Sequence, residues 1–264
     1  MELLLYIALV LYIAGWFVQS LYFFTGKDFF GGKVQEVSKL TLTAGCTIHL
    51  AALFVRYSES GHAPMADMFE TIMFYSFTVV FATVAIIYRY DERSIEVAAM
   101  PVAILALAVS LSVVSPAKPL NLVLRTWYFE THVMSSFAAY ALFTVAFAAA
   151  LLYLALDKND NETLRVEAFQ EIMGRSIMWG FFLFSISMFL AAIWSYLAWG
   201  SYWLWDAKVI WSFIVWFYYG GAIHAWFVKG WRGRAFAIAS IIGFFVVAFT
   251  YLGVSLLMKS THSF

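Results

Sequence analysis

The chain has 264 residues, of which 64% are hydrophobic and 12% charged. A soluble domain carries about twice that charged fraction, so the composition excludes an ordinary soluble protein, and the zero net charge argues against nucleic acid as a ligand. A single cysteine, Cys46, lies in an apolar run without a CxxC partner, which excludes an internal disulfide framework, a thiol relay and a cysteine metal site.

A membrane-spanning helix needs about 20 mostly apolar residues. Eight segments qualify, at about 3–23, 39–57, 67–88, 95–115, 131–156, 176–197, 207–228 and 235–258. The expected fold is an all-α polytopic membrane protein, with residues 1–264 forming one transmembrane domain. Met1-Glu2-Leu3 lacks the basic stretch of a cleaved signal, so the first span is read as retained. The longest link, 157–175, sets Leu164, Ala168 and Ile172 at i, i+4 and i+8 between acidic residues. That spacing predicts an amphipathic extension of the sixth span along the membrane surface. Lys and Arg number eleven on one side of the alternating links and five on the other. By the positive-inside rule the richer side is cytoplasmic, so both termini and the link between spans six and seven lie outside.

From Trp194 to Trp216 the chain carries six tryptophans, with Trp203 and Trp205 flanking Leu204 directly before Asp206. An interfacial belt accounts for Trp16, Trp127 and Trp179. It does not account for that density in so short a link, which reads as a platform of flat faces for a large, flat ligand. His132 opens the fifth span and His262 follows the eighth, both on the outer side. His49 lies midway along span two, His224 near the inner end of span seven, and His62 in an outer link. Scattered histidines without HExxH suit zinc poorly. Histidine pairs with aromatic walls suit haem better. Arg56, Arg125, Lys208 and Lys259 are the outer cations that could meet its propionates. On the residues alone the reading stops at a membrane protein that binds haem, with a di-haem electron-transfer cytochrome and a transporter of haem or another aromatic compound both open.

The run Trp199-Gly200-Ser201-Tyr202-Trp203-Leu204-Trp205-Asp206-Ala207-Lys208 resembles the tryptophan-rich WWD signature of the haem-handling superfamily. That group includes the CcsA/ResC proteins of System II cytochrome c biogenesis and the CcmC and CcmF proteins of a related system. A second block, from Arg56 through Ser60-Gly61-His62-Ala63-Pro64 to Phe69-Glu70-Thr71, resembles the CcsA/ResC branch. The resemblance implies a membrane component of a cytochrome c synthase (haem lyase), which moves haem b outward and presents it for thioether attachment to the CxxCH segment of apocytochrome c. It implies His132 and His262 as axial ligands at an outer site, and His224 with His49 as ligands within the membrane. Trp199, Tyr202, Trp203, Trp205 and Asp206 would hold the macrocycle. No side chain is singled out as catalytic. The implied partners are a CcsB/ResB-type membrane protein, apocytochrome c, thiol-reducing proteins and membrane lipid, with no nucleic acid. The implied location is a bacterial inner (cytoplasmic) membrane or a thylakoid-type membrane. A CcmC-like haem exporter is the nearest alternative. Two departures stand out: the family's usual Pro-Lys-Glu after the aspartate is Ala207-Lys208-Val209 here, and Tyr57 stands where tryptophan is commoner.

Overall fold

The computed structural model describes residues 1–157, 163–228 and 231–258. Among these residues there are eight long helices and no strands: α1 (Glu2–Thr25), α2 (Val34–Ser60), α3 (Met68–Tyr90), α4 (Ile95–Ser112), α5 (Trp127–Leu156), α6 (Thr163–Trp199), α7 (Ala207–Phe227) and α8 (Arg234–Ala248). A π turn, Phe249–Gly253, and a short α9, Val254–Leu257, continue α8. Among the described residues seven segments are long and apolar enough to cross a membrane: α1 to α6, and Arg234–Gly253. The protein is therefore a multi-span helical membrane protein. The segment expected at 207–228 does form a helix, but Lys208, His224 and its tryptophans and tyrosines leave α7 outside that set of seven.

The chain divides into two compact units, Met1–Pro119 and Leu120–Phe264. In the first unit α1 packs on α2, α2 on α3, α3 on α4 and α4 on α1, closing a four-helix ring. Its seam on α1 is Leu5, Ala8, Tyr12, Gly15 and Gln19, the alternating three- and four-residue spacing of one helix face. Gly45 lets the Tyr12 ring lie across α2, since a Cβ there would sit 2.8 Å from that ring. Pro101, inside α4, has no N–H to give the carbonyl of Val97 one turn earlier. The indole of Trp16 donates to that carbonyl instead, at 3.1 Å. An orphaned backbone acceptor in the apolar interior is thereby satisfied across helices, and α1 is fixed against α4.

In the second unit α5 packs on α6, α6 on α7, α7 on α8 and α8 on α5. Phe143 on α5 stacks on Tyr219 of α7 with ring centroids 3.6 Å apart and planes at 5°. Gly180 on α6 makes room for Phe143, because a Cβ would fall 2.6 Å from its ring. The segment before span six is a helical extension of it, as the spacing predicts. α6 runs continuously from Thr163, and its buried face there is Phe169, Ile172 and Met173. Leu164, expected on the apolar face, is 83% exposed. The predicted stripe was therefore rotated: the aromatic Phe169 takes the interior position that spacing alone gave to Ala168.

Candidate functional site

The second block of the sequence builds an interlocked corner in the first unit. Arg56 and Glu70 form a buried ion pair, Nε to Oε1 at 2.6 Å. Arg56 Nη1 also donates to the carbonyl of Ser115 at 3.1 Å. Asp67 caps α3 by accepting the Glu70 N–H at 2.9 Å, and accepts a hydrogen bond from Ser115 Oγ. The buried ring of His62 has its two nitrogens each 2.8 Å from a backbone carbonyl, those of Ala63 and Lys118. His62 and Arg56 thus tie the α2–α3 turn to the segment that follows α4. A cavity of about 470 Å³ bordering Arg56 is also lined by Glu2 and Glu59, a poor setting for a carboxylate ligand.

His49 is fully buried in the same unit. Its Nδ1 lies 3.1 Å from the Tyr12 hydroxyl, its ring meets Phe77 edge-on at 5.7 Å, and its Nε2 has no hydrogen-bond partner. A hydroxyl both donates and accepts, so this contact is compatible with either neutral tautomer.

His132 is placed differently. Thr126 caps α5 by accepting the Phe129 N–H at 3.2 Å, which sets His132 in the second turn, half-buried and facing α6. Its Nδ1 lies 2.9 Å from the carbonyl oxygen of Ser187 and 2.9 Å from the Ser187 hydroxyl. A carbonyl can only accept, so Nδ1 carries the proton and the lone pair of this tautomer is on Nε2. The Ser187 hydroxyl donates back to the His132 carbonyl at 3.1 Å, and Ser136 Oγ lies 2.5 Å from Ser187 Oγ. Ser187 and Ser136, which sequence reasoning missed, therefore fix the ring's orientation. The only signal for them was their polarity within otherwise apolar spans.

The tryptophan-rich link leaves the end of α6 that packs against the start of α5. Phe129 and Trp194 meet there at 5.3 Å, and the Trp194 indole donates to the carbonyl of Val123 at 3.0 Å. Gly200, at φ 74°, turns the chain out of α6, while its N–H closes on Tyr196 O at 2.8 Å. Tyr202 stacks on Tyr196 at 4.6 Å. Trp203 and Trp205 both pack on Phe213 of α7, with centroids at 4.9 and 5.5 Å. Phe213 was another residue missed from sequence. Trp199 and Tyr202 are each about half exposed, and Trp205 is 68% exposed, so flat aromatic surface remains uncovered.

Asp206 caps α7: its Oδ1 accepts the Val209 N–H at 2.9 Å. Val209 is therefore the third residue of that helix. A glutamate at this position would complete a capping box, and a proline at Ala207 would sit at the first helical position. The departures from Pro-Lys-Glu thus fall on residues that start the helix. His224 lies in the last turn of α7, exposed, 18 residues and about 27 Å along the axis from Asp206. Arg125 donates to the carbonyl of Leu120 at 2.9 Å, and Lys208 lies half-buried in the first turn of α7. His262 and Lys259 fall outside the described residues. Among the described residues no cluster of three or more His, Cys, Asp or Glu could hold a metal ion.

The profile of the cytochrome c assembly protein family matches residues 65–262. A cytochrome c biogenesis protein CcsA of Prochlorococcus marinus (strain MIT 9312) is 30% identical, over 91% of this chain and 86% of its own length. The protein of the same name from Guillardia theta is 29% identical, over 85% and 83%. Among solved structures, the cytochrome c heme lyase CcmF superposes with a TM-score of 0.71 at 18% identity, a likeness of fold. It covers 96% of this chain, which spans about half the length of that protein. The chain belongs to the cytochrome c assembly protein family, on its CcsA branch.

Proposed function

We propose that this chain is the membrane component of a cytochrome c synthase, carrying haem across the membrane and presenting it outside for attachment to apocytochrome c. The observation that carries the reading is the His132 tautomer. A ligand histidine characteristically donates its second ring N–H to a carbonyl or carboxylate, which orients the ring and raises its basicity. His132 has that partner in Ser187, on the helix that leads into the tryptophan-rich link. The haem iron would take the Nε2 lone pair of His132, with His262 as the second outer ligand. Trp199, Tyr202, Trp203 and Trp205 would cover the macrocycle, and Asp206 would act by holding the start of α7. Haem and the substrate thiols supply the bond-forming chemistry; the protein binds, orients and excludes competing ligands.

In this reading the whole chain works as one haem-handling domain, with His224 and His49 on the route through the membrane. The link faces the periplasmic, extracytoplasmic or thylakoid-lumen side, as the Lys and Arg distribution favours. A CcsB/ResB-type protein supplies the soluble outer part, and thiol-reducing proteins keep the CxxCH cysteines reduced. The test is haem content and absorption spectra of the purified protein carrying His132→Ala, His262→Ala or His224→Ala. The proposal expects the outer changes to remove most of the low-spin haem signal. Full haem content in all three variants rejects it.

A further inference from the structure

In the first unit, α1, α2 and α4 meet at a buried polar group that none of the roles above uses. Glu96, in the first turn of α4, is 1% exposed. Its Oε1 is hydrogen-bonded to the hydroxyl of Ser38 on α2, and its Oε2 has no partner. The same Ser38 hydroxyl lies 3.1 Å from the carbonyl of Gly15 on α1. Gln19 follows Gly15 by one turn on the same seam; it is 1% exposed, and its Oε1 also lacks a partner. Three residues before Glu96, Arg93 binds Glu36 at 2.6 Å and Asp91 at 3.2 Å through Nη2, while its buried Nε has no partner.

The proton inventory of this junction is short. Ser38 has one hydroxyl proton and two neighbouring oxygens that could accept it. With Glu96 ionised, one of those contacts lacks a proton, and a charged carboxylate oxygen stays unpaired in an apolar seam. With a proton on Oε1, Glu96 donates to Ser38 and Ser38 donates to Gly15, so both contacts are hydrogen bonds. Besides Gln19 Oε1, an acceptor, Glu96 Oε2, and a donor, Arg93 Nε–H, then remain, at i and i+3 spacing where side chains can meet.

We propose that Glu96 is a proton-binding site, occupied in the arrangement seen, whose carboxylate turns to Arg93 Nε–H when the proton leaves. The proton passes from Oε1 to water at the α3–α4 turn, no other covalent bond changes, and Ser38 keeps its bond to Gly15. The positive end of the α4 dipole favours the negative charge. The charged groups facing the site are Arg93, Asp91 and Glu92 from the turn, and Glu36 from α2. The α1 seam presents the uncharged Gln19 and Ser20. Lys39 is turned away, its Nζ 4.0 Å from the Tyr88 ring.

Infrared titration of the purified full-length protein tests this. Wild type is expected to show a protonated-carboxyl C=O band that gives way to a carboxylate band as pH rises, and Glu96→Gln is expected to lack both changes. Glutamine keeps the shape and an N–H for Ser38. Arg93→Gln, by removing the group that receives the carboxylate, should move the midpoint of that change upward by about one pH unit or more, a tenfold or greater gain in proton affinity. An identical band in wild type and Glu96→Gln overturns the proposal. So does a midpoint unmoved in Arg93→Gln, which decides the matter should Glu96→Gln fail to fold. Wild type without any pH-dependent carboxyl band overturns it irrespective of variants.

Discussion

His132 in the second unit and His49 in the first are both carried by long apolar helices, yet a carbonyl faces one and a hydroxyl the other. The carbonyl of Ser187 commits His132 to a single neutral tautomer with its lone pair on Nε2. The Tyr12 hydroxyl makes no such choice, and His49 can hold its proton on either nitrogen. An intramembrane histidine is a functional candidate by default because leaving it unpaired is costly. The neighbour, more than the depth, distinguishes a ring held in one tautomer from one that fits either a ligand or a packing role.

The largest effect should come from His132→Ala, which removes the prepared ring and should abolish most copurifying haem in a haem-to-protein assay. Ser187→Ala keeps the carbonyl but deletes the hydroxyl that touches His132 Nδ1 and its backbone. Loss of such a supporting group costs about tenfold or more in metal affinity, and a haem-binding titration should read that loss without a change in fold. The contrasting change in the first unit is Tyr12→Phe. It deprives His49 of its hydrogen bond and should lower stability by about 1–2 kcal/mol, read by thermal unfolding in detergent, while haem content falls far less than in His132→Ala. A Tyr12→Phe protein as depleted of haem as His132→Ala would reverse the comparison. The smallest effect belongs to Val209→Glu, which should stabilise the start of α7 by about 0.5 kcal/mol through a completed capping box. If glutamate there instead acts on bound ligand, haem spectra will move and stability will not.

The spans were legible because each is a long apolar run, and all eight expected segments coincide with helices to within a few residues except at the start of the sixth. There the expected extension is continuous with the span from Thr163, but its buried face is Phe169, Ile172 and Met173 in place of Leu164, Ala168 and Ile172, because the larger ring takes the interior. Trp203 and Trp205 were visible as a cluster, but their packing on Phe213 was not, because Phe213 belongs to the next helix and looks like any apolar residue of α7. Asp206 read as a ligand group in sequence, and the structure shows it capping α7. The support for His132 was invisible for the same reason that makes it effective. The oxygen that fixes the ring belongs to the main chain of Ser187, fifty-five residues away.

The most direct test of His132 as the iron ligand is an imidazole titration of purified His132→Ala protein, followed by absorption spectroscopy. The account predicts that this variant, resupplied with haem, shows a weakened low-spin spectrum that returns as imidazole fills the place of the missing ring. A wild-type spectrum in His132→Ala before any imidazole is added would contradict it.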